Sequence, residues 1–215
     1  MSKVLVTGFD PFGGETVNPA YEAVKQLPDE IEGAQVVKLE LPTSFQGSAQ
    51  KLEQAMRQHQ PDIVICVGQA GGRACVTVEK VAINLAEARI PDNDGAQPVD
   101  EPVRADGPTA YFSNLPVKAM VQQMQQAGIP AAVSYTAGTY VCNSTLYNLM
   151  YLIERGYPHV RGGFIHVPFE NGQVIGKSSA TPFMPVTMMT QALQAAISAA
   201  ILCKEESNAA MGETH

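Results

Sequence analysis

Basic residues are scarce in this chain: 14 Lys and Arg stand against 21 Asp and Glu, for a formal net charge of -7, and no stretch gathers the cations into a stripe. A protein that neutralises nucleic-acid phosphates needs such a stripe, so nucleic acid is not an expected partner. Long apolar runs are also missing. A spanning helix needs about 18 or more consecutive apolar residues, and without one no membrane partner is expected. The opening MSKVLVTGFDPFGG meets Asp10 too early for the apolar region of a secretory signal, which points to a cytoplasmic location. Only four of 215 residues are cysteine, and none has CxxC spacing. A chain of this length can fold without disulfide staples, so the expectation is reduced thiols and no metal site. Asn143-Ser144-Thr145 fits a glycosylation sequon, a pattern common by chance and without meaning in a cytoplasmic protein.

What is present is 45% hydrophobic content, ample for one core. Residues 3–7 and 35–41 read as strands, residues 62–67 (DIVICV) as a strand buried on both faces, and residues 76–85 (VTVEKVAINL) as one extended strand. Further strands are expected at 131–135 and 163–167. Helices are expected at 19–27, 44–59, 116–127, 142–155 and 185–202. The second carries Phe45, Ala49, Leu52 and Met56 on one face with Pro61 beyond its end; the last carries Val186, Met189, Leu193, Ile197 and Ile201. Residues 90–108 are rich in Pro, Asp and Gly and read as a long ordered loop. Strands alternating with helices predict an α/β protein: one three-layer α/β/α domain over residues 1–203, with a mixed, mostly parallel, twisted sheet. Residues 204–215 are expected to be a disordered tail.

Ligands in such sheets gather at the carboxyl ends of strands, and residues 7–14, 68–73 and 137–142 are the loops expected there. The cysteines separate by context. Cys66 and Cys75 read as small buried hydrophobes and Cys203 as incidental, whereas Cys142 stands where a turn becomes a helix. It also falls in an apolar stripe with Leu146, Leu149 and Ile153, so core residue and nucleophile both stay open. A thiol with a pKa of about 8.5 is only a few per cent ionised at neutral pH, and a helix terminus offers about 0.3–1 kcal/mol, under one pKa unit. A reactive Cys142 therefore needs a histidine. His59, His159 and His215 have ordinary surface readings. His166, in GGFIHVPFE, follows apolar strand residues and reads either as a satisfied core histidine or as that base. Glu79 in VTVEKVAIN is a candidate acceptor for the imidazole, although either Glu79 or Lys80 could simply reach solvent from an edge strand. TGFDPFGG lacks the Lys-Ser/Thr pair of a phosphate loop, and its phenylalanines suggest an apolar ring pocket or a self-packed loop.

GFDPFGG, GQAGGR followed by VEKVAIN, ARIPDN, AGTYVCN and GGFIHVPF occur in this order from Val4 to about Ile201, and together they resemble the pyroglutamyl peptidases. The resemblance implies a cytoplasmic cysteine peptidase, commonly a homotetramer, that removes N-terminal 5-oxoproline from peptides without a metal or organic cofactor. It implies Cys142 as nucleophile, His166 as general base and acid, Glu79 as its orienting carboxylate, and Arg89 as a contributor to oxyanion stabilisation. The implied substrate pocket comprises Phe9, Phe12, Ile90, Tyr140 and Val141, with Asn18 and Gln69 hydrogen-bonding the lactam or supporting its wall. One departure is Tyr140, where the family often carries Phe; its hydroxyl must find a partner. A non-hydrolytic binder on the same scaffold and an inactive scaffold protein are the competing readings.

Overall fold

In the computed structural model, which describes residues 2–212, the first apolar run forms β1 (Lys3–Phe9). Val4 and Val6 enter one apolar cluster and Leu5 the other, as expected of a strand covered on both faces. α1 (Pro19–Lys25) starts where Asn18 Oδ1 accepts the Ala20 N–H at 3.1 Å and Pro19 occupies the first turn. β2 (Glu30–Ile31) and β3 (Ala34–Leu41) pair antiparallel. Ser44 caps α2 (Phe45–His59) by accepting the Gly47 N–H at 2.9 Å, and Gln60, in the left-handed region, ends it before Pro61. The remaining elements are β4 (Ile63–Gln69), β5 (Val76–Glu79), β6 (Val81–Ile83), β7 (Ala110–Phe112), α3 (Val117–Gln126), β8 (Ala131–Ser134), α4 (Val141–Gly156), β9 (Arg161–Val167) and α5 (Val186–Leu202).

The main sheet has the order β2-β3-β1-β4-β9-β5-β8. β3, β1, β4 and β9 share one direction, while β2, β5 and β8 run the other way. The α/β/α expectation therefore holds, with a mixed and mostly parallel sheet. One cluster joins Ala20 of α1, Met120 of α3 and Leu193 of α5; the other joins Leu52 of α2 and Leu149 of α4. No helix among the described residues is long and apolar enough to cross a membrane.

Three expectations are corrected. The strand expected over 76–85 breaks at Lys80, whose N–H donates to Ser134 O at 2.8 Å while its carbonyl accepts from Ser113 at 3.0 Å. This turn carries the chain out of the main sheet, and β6 pairs with β7 in a separate two-stranded sheet. Nor is β5 an edge strand, because it lies between β9 and β8. The third concerns residues 137–142: they follow β8, which runs against β4 and β9, so this loop has to double back to reach the carboxyl ends of the central strands.

The long loop after β6 is ordered by its own polar groups. Asp92 Oδ1 accepts the N–H groups of Asp94 and Ala96, and its Oδ2 accepts the Phe45 N–H at 2.8 Å, which ties the loop to the positive end of α2. Residues 204–212 form neither helix nor strand, but Glu206 accepts from Lys118 N at 2.8 Å and from Lys80 Nζ at 3.2 Å. His215 lies outside the described residues.

Candidate active site

Strand alternation puts a set of polar residues on one face of the sheet. Val76 and Val78 point into the α1/α3/α5 layer, so Thr77 and Glu79 point toward α2 and α4, as do Cys66 and Phe164. His166 lies two residues beyond Phe164 and shares its face; it is in register with Gly68 on one side and Thr77 on the other. Glu79 is completely buried, and its Oε1 lies 2.7 Å from His166 Nδ1. The choice between Glu79 and Lys80 is thereby settled: the carboxylate points in, and Lys80 reaches out to Glu206.

Cys142 occupies the second position of α4. Tyr140 caps that helix without a side-chain hydrogen bond, and the first helical bond runs from Ser144 N to Tyr140 O at 3.2 Å. The Val141, Cys142 and Asn143 N–H groups thus have no acceptor within the helix, and its positive end is left facing the site. The Cys142 sulfur rests on β4: a Cβ added to Gly68 would meet Cys142 Sγ at 2.9 Å and Phe164 Cζ at 2.8 Å. Only glycine lets the thiol sit this close to the strand. Gly68 is the register partner of His166, so thiol and imidazole are neighbours on one face.

Charge is tuned by burial and by one cation. Burial pushes the Cys142 thiol up to about 12, the nearby Glu79 charge adds to this, and Arg73 opposes it. His166 is held below the ordinary imidazole value, chiefly because burial disfavours its charged form against the pull of Glu79. For Glu79, burial works to raise the carboxyl, but the hydrogen bond and charge of His166, the polar Ser134 nearby and the charge of Arg73 hold it below the usual range. Burial and these charges thus favour a neutral thiol and a neutral imidazole beside an ionised carboxylate.

A small, nearly closed cavity lies beside the thiol, bordered by Phe9, Phe12, Asn18, Gln69, Val141 and Cys142, together with Thr43 and Tyr140. Three rings line it, those of Phe9, Phe12 and Tyr140: Tyr140 lies 6.1 Å from Phe12 and, behind the wall, stands edge-on to Phe45 at 5.4 Å. The Tyr140 hydroxyl donates to Pro91 O at 3.0 Å, the partner it requires. Asn18 is occupied structurally, donating to Asp10 O while capping α1. Gln69 Oε1 accepts from Gln173 at 2.9 Å, which directs its amide N–H₂ elsewhere. A larger, more open concavity lies beyond Phe45 but does not reach the thiol.

Residues 2–203 match the family model described as pyroglutamyl peptidase. The chain belongs to the pyroglutamyl peptidase family. It is 58% identical to a pyrrolidone-carboxylate peptidase of Enterococcus faecalis over 99% of this chain and 100% of that one. It is 54% identical to one of Clostridium perfringens over 93% of each. The crystal structure of pyroglutamyl peptidase I from Bacillus amyloliquefaciens superposes with a TM-score of 0.94 at 52% identity, covering 97% of this chain and 99% of that one. As a pyroglutamyl peptidase family member, the chain is a hydrolase of the cysteine-type peptidase class.

Within this family member, two of the expected site residues stand apart. Arg89 is exposed, and Ile90 is 42% exposed and packs at the rim beside Gly13 rather than lining the cavity. Three residues given no role from the sequence belong to the architecture. Thr43 lines the cavity and holds the loop after β1 through Asp10. Arg73 reaches Glu79 Oε1 at 2.6 Å. Asn143 is 1% exposed; its amide donates to Ile83 O and Leu85 O and accepts from Ile83 N. The sequon asparagine is therefore a buried clamp with no room for a glycan.

Proposed function

We propose that this chain hydrolyses the amide bond following an N-terminal pyroglutamyl residue of a peptide, through Cys142, His166 and Glu79. The observation that carries the reading is the gathering of a thiol at a helix N-terminus, an imidazole on the strand beside β4 and a buried carboxylate 2.7 Å from its Nδ1, with the thiol lining a cavity that three aromatic rings share. Pyroglutamate has no free α-amine, so its pocket needs no carboxylate. A flat neutral lactam suits the faces of Phe9, Phe12 and Tyr140, with the free Gln69 amide N–H₂ as a donor to the ring carbonyl.

With Nδ1 bonded to Glu79, the other ring nitrogen of His166 takes the Cys142 proton. The thiolate attacks the pyroglutamyl carbonyl and an S–C bond forms. The oxyanion is met by the N–H groups at the start of α4, and the family resemblance adds Arg89, from the exposed loop, as a contributor. The C–N bond then breaks as His166 returns its proton to the departing amine. Water, deprotonated by His166, attacks the thioester, releases pyroglutamate and restores the thiol. The family resemblance further supports a cytoplasmic homotetramer with residues 1–203 as the catalytic unit.

Purified protein is expected to release the fluorophore from a pyroglutamyl-coumarin amide, to lose this activity to iodoacetamide and to keep it in the presence of a chelator. No release, or release indifferent to alkylation, would overturn the reading; calorimetric nucleotide binding without amidase activity would favour a binding module. Gly68→Ala is expected to cut kcat on this amide by about 10²-fold, because either the sulfur or the Phe164 ring must move to admit the methyl group. A kcat equal to the parent's would show that the thiol does not depend on this contact.

A further inference from the structure

Arg73 is half-buried in the loop between β4 and β5, and its guanidinium gathers four groups. Nη1 donates to Thr77 Oγ1 at 2.5 Å, to Glu79 Oε1 at 2.6 Å and, more weakly, to Ser134 Oγ at 3.4 Å, while Nη2 donates to Thr136 O at 3.0 Å. The arginine is therefore fixed by β5, by β8 and by the segment leading to Cys142. Glu79 uses a single oxygen for both partners: Oε1 meets Arg73 and His166, whereas Oε2 is buried with no partner. Leaving a carboxylate oxygen unpaired in a fully buried site strongly favours protonation unless a fixed cation opposes it.

The groups facing this carboxylate can be followed element by element. β9 contributes His166, α4 contributes Cys142, β4 contributes Cys66 behind the thiol, and β5 and β8 contribute the uncharged Thr77 and Ser134. Lys80, the next cation along the chain, is turned to Glu206. Among the described residues, Arg73 is the permanent positive charge facing the carboxylate.

Resting on the Cys-His-Glu reading, we infer that Arg73 is a positioning residue: its guanidinium keeps Glu79 ionised and oriented beneath His166, so that the imidazole can take the Cys142 proton at neutral pH. Removing this charge makes the Glu79–His166 pair hold protons more tightly and makes the thiolate harder to form. Both effects move activity toward alkaline pH. The acid limb belongs to the pair as a whole, because the two groups share a proton across 2.7 Å.

Arg73→Gln is expected to raise the acid limb of kcat/KM by about one pH unit or more, the scale of a carboxylate losing an adjacent cation. Turnover at pH 6 then falls about tenfold or more, and the loss shrinks as the pH rises. The pH dependence of Cys142 alkylation by iodoacetamide moves the same way and needs no peptidase activity to be read. Arg73→Lys, which keeps the charge but cannot span all four groups, is expected to stay on the parent's limbs even if its maximal rate is lower. Parent-like limbs in Arg73→Gln would overturn the inference and leave a scaffold role. Should Arg73→Gln fail to fold by circular dichroism, a shifted limb in Arg73→Lys would overturn it equally. A parent that releases no amine from the pyroglutamyl amide would sink the proposed reaction instead, with the alkylation profiles still testing Arg73.

Discussion

Cys142→Ser is expected to fold like the parent and to turn over a pyroglutamyl amide about 10⁴-fold or more slowly, the scale on which a protease loses rate with its nucleophile. The hydroxyl is smaller than the thiol, so it fits between Gly68 and Phe164 without new contacts. What changes is acidity and nucleophilicity. The thiol is already pushed up to about 12 by burial, and His166 must do most of the work of removing its proton. A hydroxyl starts from a far less acidic position and asks more of the same base. Parallel measurement of kcat, of KM and of the urea midpoint separates chemistry from folding. A variant retaining a tenth of parental activity would move the nucleophile elsewhere. Cys66 is a poor substitute, being fully buried in the core and itself raised to about 12 by that burial.

Glu79→Gln is the second large effect, with an expected loss in kcat on the order of 10³–10⁴-fold and little change in KM. The side chain keeps its shape, but the charge beneath His166 disappears. The amide can present either its oxygen or its N–H₂ to Nδ1. With N–H₂ facing the ring, the imidazole is driven into the tautomer that cannot accept the thiol proton; the loss is then set by tautomer rather than by geometry. With the oxygen facing the ring, Arg73 and His166 share a neutral acceptor and the imidazolium formed during attack lacks its counter-charge. Steady-state kinetics on the pyroglutamyl amide decides it: a kcat within tenfold of the parent's would reduce Glu79 to a packing role. Apolar cavity walls remain intact in either case, which is why KM is expected to hold.

The strongly periodic parts of this fold were legible in the sequence. DIVICV could hardly be anything but a strand covered on both faces, and the Ser44 cap and Pro61 bracket α2 almost to the residue. The break at Lys80 was not legible, because VTVE and VAIN carry the same β-branched alternation and the turn is made by Ser134 and Ser113, far away in the chain. The three-residue β7 is too short for any period, and the reversed direction of β8 is a property of sheet assembly that no local pattern encodes. The candidate site divides similarly. Taken singly, Cys142 and His166 read equally well as core residues, and Glu79 as a charge reaching solvent from an edge strand; only the ordered motifs made them a set, and only the strand register put them on one face. Nothing local marks Arg73, the last residue of the glycine loop over 68–73, for a role. Its role depends on Thr77, Ser134 and Thr136 converging on it, which requires tertiary structure. Thr43 and Asp10 carry no local signal of their contact, because threonine and aspartate beside a turn usually do no more than cap it.

The three hydrogen bonds of Asn143 bear on local unfolding. The loop leaving β6 is long enough to open as an independent unit, and loops of that kind commonly exchange their amide hydrogens from low-lying open states. Here the Ile83 amide and the Ile83 and Leu85 carbonyls are held by a side chain of the first turn of the same helix that carries the thiol. Opening this stretch exposes a buried amide and strips that turn of its packing, so the Ile83 hydrogen should exchange together with α4. The stretch leaving β6 then belongs to the same cooperative folding unit as the helix that carries Cys142, and fraying of the loop has little path by which to loosen that helix.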